Sequence, residues 1–304
     1  MTLPNFFIVG APKCGTSGLY HFLRAHPQIF MAKPKELNFF CKDLSSPEFL
    51  EDSVRYRSLF ENAADFERIG EASVWYLFSK VAAQGIHDSV PDAKIIALVR
   101  NPVDMCYSYH SQRLWNGTEH IEEFSAAIEA IPDRLASRNL PDKPFPIESL
   151  DYIDIARYPG QLRRYLELFP AENVCVIVFD DLKKETQKVY SHVLQFLDVD
   201  TSIELRVEDS QLTRNANKNL RSQTLGNLMS NPPSWVKVLG RLTLPSQEAR
   251  NRMWKRVRRM NIEWRPRKEM DPALRLKLEE IFKEDIRELS TMLDRDLVEL
   301  WLNK

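Results

Sequence analysis

Much that would assign this 304-residue chain at a glance is missing from it. No apolar run approaches the roughly 20 residues that a helix needs to cross a bilayer, so no transmembrane helix is expected. Met1–Asn5 leads straight into an apolar run, with no basic region or leader-like stretch before it, and a cytoplasmic location is expected. Four cysteines (Cys14, Cys41, Cys106 and Cys175) are widely scattered with no CxxC pair, which speaks for reduced thiols rather than a disulfide framework. Six histidines are equally dispersed, and nothing has the spacing of metal ligands. A net charge of −1 means that bulk electrostatics names no partner, nucleic acid included. There is no internal repeat and no low-complexity tract.

What is present is a chain able to build a large core. With 43% hydrophobic residues it reads as one domain over 1–304, an α/β core at 1–200 followed by a covering loop and closing helices at 201–304. Phe6–Val9, Lys94–Val99 and Asn173–Phe179 are short apolar runs without helical period and read as buried strands. Gln28–Met31 and Gly70–Tyr76 are weaker strand candidates. Thr16 to about Ala25, Phe49–Phe60, Pro102 to about Trp115, Asp151–Phe169 and Lys183–Leu197 carry helical periodicity, and Pro272–Trp301 reads as a long closing helix. Residues 117–150 hold Pro132, Pro141, Pro144 and Pro146 and read as a short helix and a long loop. The alternation predicts an α/β fold: a parallel sheet covered by helices on both faces, with a helical C-terminal region.

The strongest chemical signal is Phe6-Phe7-Ile8-Val9-Gly10-Ala11-Pro12-Lys13-Cys14-Gly15-Thr16-Ser17. A strand, a glycine turn and a helix start aim backbone N–H groups and the positive end of a helix dipole at one point. That is an anion site, most naturally a phosphate site. Gly10-x4-Gly15 has the spacing of the nucleotide P-loop, but Thr16-Ser17 follows Gly15, and the lysine stands two residues before it as Lys13. The cradle survives while the usual magnesium–triphosphate arrangement does not. A P-loop kinase or NTPase stays open as an alternative, since Val176–Asp180 imitates an acidic strand end for magnesium. The plainer reading, a turn that merely joins strand to helix, leaves the lysine and the hydroxyls unexplained.

Pro12-Lys13-Cys14-Gly15-Thr16-Ser17 resembles the 5′-phosphosulfate loop of sulfotransferases that use 3′-phosphoadenosine-5′-phosphosulfate (PAPS). Arg100-Asn101-Pro102-Val103-Asp104, followed by Ser108-Tyr109 and Arg113, is similar to the family's 3′-phosphate segment and lies about 85 residues downstream. In motif the chain is most similar to the glycan, heparan-sulfate and bacterial branches. The resemblance implies a P-loop, nucleotide-kinase-like α/β domain with PAPS as co-substrate and no metal. It also implies transfer to a hydroxyl, on a carbohydrate or glycolipid. Lys13, Cys14, Gly15, Thr16 and Ser17 then serve the 5′ end of the nucleotide, with Lys13 stabilising the leaving phosphate. Arg100 and Ser108 serve the 3′-phosphate, whose oxygens a guanidinium fork matches in pairs. Asn217–Ser222 looks like the late loop that covers the nucleotide, which makes Lys218 and Arg221 candidate contacts.

Lys35-Glu36-Leu37-Asn38-Phe39-Phe40 resembles the glycan-enzyme segment in which a glutamate precedes a polar residue and two phenylalanines. Carried over, Glu36 is the general base. Lys33 and Lys35 would lower its pKa and burial would raise it, and a solvated Lys–Glu pair is the plainer reading. Asn38 stands where glycan enzymes often carry His, and Ala72, after Glu71, where they often carry Lys. The histidine-base motif of the aryl and steroid branch is absent, and His110 and His120 are the fallback bases. Tyr158 and Trp75 can stack or bond at the site, although aromatics at such spacings more often belong to the core. A basic stretch at 250–268 surrounds Met253, Trp254, Val257 and Met260. It reads as a solvated face or as a peripheral contact with an anionic surface, and it keeps open a second alternative, a non-catalytic anionic-polymer-binding protein.

Overall fold

The computed structural model describes residues 2–142, 146–205, 218–220, 246, 262–264 and 268–303. β1 (Phe6–Gly10) is buried at every position and runs through the middle of a five-stranded sheet of order β2–β3–β1–β4–β5. Its neighbours are β3 (Arg68–Ala72) and β4 (Lys94–Val99), with Phe6 opposite Gly70 on one side and Lys94 on the other. β2 (Ile29–Met31) and β5 (Val174–Val178) flank them, and all four pairings are parallel. The expected α/β class is the observed one, and the apolar runs of β1 and β4 mark strands buried on both faces.

The order of the strands sets the site. From β1 the chain moves outward to β2 and β3 on one side, then crosses back to β4 and β5 on the other. The direction therefore reverses at β1 and β4, and in such sheets the ligand crevice opens beyond the carboxyl ends of the strands at that point. The glycine loop follows β1 there, and Arg100 follows β4.

Several helices are shorter than their periodicity suggests, each for a local reason. α1 (Thr16–Arg24) and α4 (Pro102–Asn116) run as expected, α4 between an Asn101 cap that accepts from Val103 N and Asp104 N and a left-handed Gly117. The Phe49–Phe60 stretch is helical only as α2 (Ser53–Ser58), begun by the Asp52 carboxylate on Val54 N and Arg55 N. Asp151 folds back onto Ile153 N and Asp154 N, so the Asp151–Phe169 stretch becomes helical only as α7 (Tyr158–Leu166). α3 (Ala82–Ser89) covers the sheet before β4, while α5 (Phe124–Glu129) and α6 (Ile131–Leu135) follow α4. Phe179, expected in the strand, instead opens α8 (Phe179–Lys184), and α9 (Thr186–Phe196) begins after a break at Glu185. β3 stops at Ala72 because the chain then turns over β1: Ser73 N donates to Ile8 O and Leu77 N to Val9 O.

Two antiparallel three-residue strands, β6 (Lys218–Leu220) and β7 (Ile262–Trp264), pair Lys218 with Trp264, and β6 lies against α4. The closing stretch forms α10 (Pro272–Met292) and α11 (Leu297–Leu302), separated by a left-handed Asp294. α10 packs on α4 and α7 through Leu278, Phe282, Ile286 and Leu289, with Arg275–Asp104 and Arg157–Asp285 ion pairs at 2.6 and 2.9 Å along the seam. Among the described residues no helix is long and apolar enough to cross a membrane.

Candidate active site

The glycines of the first loop are there for space as well as turn. Gly10 sits at φ 150°, and a Cβ on it would stand 2.7 Å from Leu77 Cβ and 2.8 Å from Val74 O. Gly15 is left-handed at φ 93°, and a Cβ there would meet Leu182 at 2.9 Å. As the residue before α1, Gly15 offers no side chain to cap the helix, so the first-turn amides are left for something outside the helix. Thr16 and Ser17 set their hydroxyls on the same turn.

Two separate stretches of chain meet the loop and that turn. Lys35 reaches it from the loop after β2: its Nζ lies 3.2 Å from Thr16 Oγ1 and 3.5 Å from Ser17 Oγ, and it also pairs with Glu36 Oε1. Arg100 reaches the loop from the end of β4, donating a long 3.4 Å bond to Lys13 O while its guanidinium lies 4.8 Å from the centre of the Phe179 ring. Glu36 stands beside Lys35 on the β3 side of β1, side chain 37% exposed, its Oε2 accepting from Val74 N at 2.9 Å. Thus Lys13, Thr16, Ser17, Glu36 and Arg100 come together, and Lys35 joins them. Lys35 counted in the sequence only as a neighbour of Glu36. The one signal there was the pair Lys33 and Lys35, and spacing alone does not say which lysine turns inward; Lys33 is exposed.

The remaining candidates divide. Cys14 points away from the loop into the core, its thiol 3.4 Å from Pro12 O and 3.9 Å from Tyr158 Oη, and burial pushes it up to about 12. Only its backbone faces the loop, and Tyr158 supports the loop from below. Trp75 is likewise core, edge-on to Phe78 and Tyr109. Ser108 is buried on α4, two turns past Asn101. His110 is buried against Ile121 O at 2.9 Å, and burial holds its pKa below the usual range; His120 meets Asn139 Oδ1 at 3.0 Å. The backbone of Lys218 lies in β6 beside α4, whereas Arg221 and most of the basic 250–268 stretch lie outside the described residues.

The acidic strand end that imitates a magnesium site is occupied by protein. Asp180 accepts from Trp301 Nε1 at 3.1 Å, and Asp181 forms a two-bond ion pair with Arg295. Both carboxylates anchor the C-terminal helices to α8. Behind Glu36 stands a second carboxylate. Glu71 is 1% exposed and accepts from Tyr56 Oη and Ser73 Oγ, both at 2.7 Å, and from Tyr76 Oη at 2.8 and 3.0 Å. Burial pushes its carboxyl up to about 7, against the pull of the three hydroxyls.

A parallel sheet with a glycine loop after β1 that leads into an uncapped helix, an arginine after β4 and a carboxylate beside the loop is the architecture of a P-loop α/β protein. The family model for the sulfotransferase domain matches residues 3–290, and the chain belongs to that family. It is 29% identical over 203 residues to the bifunctional heparan sulfate N-deacetylase/N-sulfotransferase 1 of Caenorhabditis briggsae, covering 65% of this chain and 23% of that protein. It is 23% identical over 290 residues to human carbohydrate sulfotransferase 15, covering 78% of this chain and 51% of that one. The chain thus spans about half or less of the length of these relatives. The crystal structure of a sulfotransferase from Alicyclobacillus acidocaldarius superposes with a TM-score of 0.72 at 27% identity, over 98% of both chains.

Proposed function

We propose that this sulfotransferase moves a sulfuryl group from PAPS to a hydroxyl of a carbohydrate or glycolipid. The observation that carries the reading is the gathering of Lys35 on the uncapped first turn of α1, of Glu36 beside Lys35, and of Arg100 on the loop that leads into that turn. That turn fits an anionic group: its amides lack a side-chain cap, and a lysine ammonium already rests on its two hydroxyls. PAPS supplies the activated sulfuryl group. Lys13 and the Gly15–Ser17 amides and hydroxyls hold the 5′ end, neutralising charge that grows on the leaving phosphate. Lys35 adds a second cation at the same place. Arg100, at the end of β4, takes the 3′-phosphate with Ser108 behind it, and Lys218 and Arg221 close over the nucleotide. Glu36, half-exposed at the mouth, removes the proton of the acceptor hydroxyl. The acceptor class rests on the glycan substrates named for the relatives.

The test is transfer of labelled sulfate from PAPS to glycan and glycolipid acceptors. Lys13→Ala is expected to lower kcat by about 10²–10³-fold, as loss of a transition-state charge partner does. Glu36→Gln is expected to lower it by about 10²–10⁴-fold while leaving affinity for adenosine 3′,5′-bisphosphate unchanged. Arg100→Ala is expected to cost about 2 kcal/mol in affinity for the bisphosphate, and far less for adenosine 5′-phosphate. Equal losses for both nucleotides remove Arg100 from the 3′-phosphate. Full turnover in either of the other two variants ends that residue's assignment.

A further inference from the structure

Glu71 has no part in the reaction above, yet it is wired to the residue that removes the proton. Ser73 has one hydroxyl proton and gives it to Glu71 Oε1, which leaves Ser73 Oγ to accept from Asn38 N at 3.0 Å. Asn38 Nδ2 donates in turn to the carbonyl of Glu36 at 3.0 Å. Glu36 N donates to Ala72 O at 2.9 Å, and Val74 N holds its carboxylate. Glu36 (φ 66°) and Asn38 (φ 52°) are both left-handed, a conformation that non-glycine residues keep only when their surroundings enforce it. Here the enforcement comes from residues 72–74, and Ser73 points the right way because Glu71 takes its proton.

We propose that Glu71 is the positioning residue of the base: its ionised carboxylate orients Ser73, Ser73 holds the Asn38 turn, and the turn fixes Glu36. This rests on Glu36 being the base. When Glu71 takes up a proton, its own O–H must donate into a cage of three hydroxyls that all donate to it now, so one of them has to turn round. Tyr56 and Tyr76 are held by buried rings, whereas Ser73 is a short rotor and yields first. Ser73 Oγ then accepts from Glu71 as well as from Asn38 N, and the turn of the hydroxyl that sends its own proton to a new acceptor shifts the lone pair aimed at Asn38. The titratable groups that face Glu71 are Tyr56 from α2, Tyr76 from the turn after β3, Tyr165 from α7, and Cys41 and the Lys35-paired Glu36 from the segment after β2. Burial holds the three tyrosines and the cysteine well above their ordinary range, so they stay neutral while Glu71 titrates.

The experiment is kcat with PAPS and a working acceptor across about pH 5–9, for the wild-type chain, Glu71→Gln, Ser73→Ala, Glu36→Gln and the Glu71→Gln/Glu36→Gln double variant. Gln copies the protonated acid. Wild-type kcat is expected to rise through about pH 7. Glu71→Gln and Ser73→Ala are expected to run roughly 10-fold slower at alkaline pH and to lose that rise, with affinity for adenosine 3′,5′-bisphosphate unchanged. Because Glu71 acts through Glu36, the Glu71→Gln effect is expected to vanish in the Glu36→Gln background. Should Glu71→Gln fail to fold, Ser73→Ala carries the same comparison. An active wild type beside a Glu71→Gln or Ser73→Ala variant with an unchanged profile overturns this inference alone, as does a loss that persists in full without Glu36. A wild-type chain that transfers no sulfate from PAPS overturns the proposed function and this inference with it.

Discussion

Above about pH 7, folding has to remove an ionised Glu71 from water, although the same carboxyl has an ordinary value of 4.5 outside the fold. Between those values the folded chain binds the proton and the unfolded chain does not, so stability falls as pH rises through the window. The shift corresponds to about 3 kcal/mol, present in full below the lower value and lost above the upper one. Glu71→Gln cannot ionise. Its urea-unfolding free energy is therefore expected to lose about 2–3 kcal/mol less than the wild type's between pH 5 and pH 8. Parallel pH slopes for the two proteins would mean that Glu71 is solvated or otherwise compensated. The ionised form assigned to catalysis is thus the less stable one, a trade familiar at functional sites. Cys14 shows a milder version of the same division, a residue of the loop whose side chain serves only the core.

Among the elements, α11 is small but holds more than its length suggests. Trp301 is fully buried, its Nε1 donates to Asp180, and its carbonyl accepts from Asn101 Nδ2 at 3.1 Å. Asn101 is the cap of α4 and the residue next to Arg100, so the end of the chain braces the start of the helix that carries the second motif. Trp301→Ala is expected to destabilise the protein by about 3–5 kcal/mol, measured by urea or thermal unfolding. Trp301→Phe keeps most of the apolar volume and loses the bond to Asp180, and is expected to cost about 1–2 kcal/mol. A Trp301→Ala variant as stable as the wild type would show that α11 does not hold α8 and α4 together.

At the scale of the molecule, the parallel sheet brings residues 87 apart in sequence into contact, Arg100 with Lys13, because both follow strands at the point where the sheet reverses direction. Ligand binding at such a junction stabilises the whole chain by mass action. Adenosine 3′,5′-bisphosphate at about 100 times its Kd, without metal, is expected to add about 2.7 kcal/mol, read as a rise in Tm of a few degrees. ATP with magnesium is expected to give a smaller shift, since Asp180 and Asp181 are engaged by Trp301 and Arg295. A larger shift with ATP–magnesium would restore the kinase reading.

The sequence by itself determined the buried runs of β1, β4 and β5, the glycine turn, the start of α1 and the capped α4, because each depends on neighbours a few residues away. Gly10 and Gly15, the Asn101-Pro102 start and the apolar run of β4 are local signals, and the two motifs that resemble nucleotide-binding segments fall at strand ends for the same reason. Local signals also misled: Asp151 and Glu185 interrupt helices that periodicity draws as continuous. Only the tertiary structure decided which lysine turns inward, that Cys14 turns away, that Asp180 and Asp181 tie down the C-terminus, and that Glu71 stands behind Glu36. Lys35 meets Thr16 across 19 residues and Asp181 meets Arg295 across 114. Contacts of that range follow from how strands are ordered in the sheet, and no run of neighbouring residues records it.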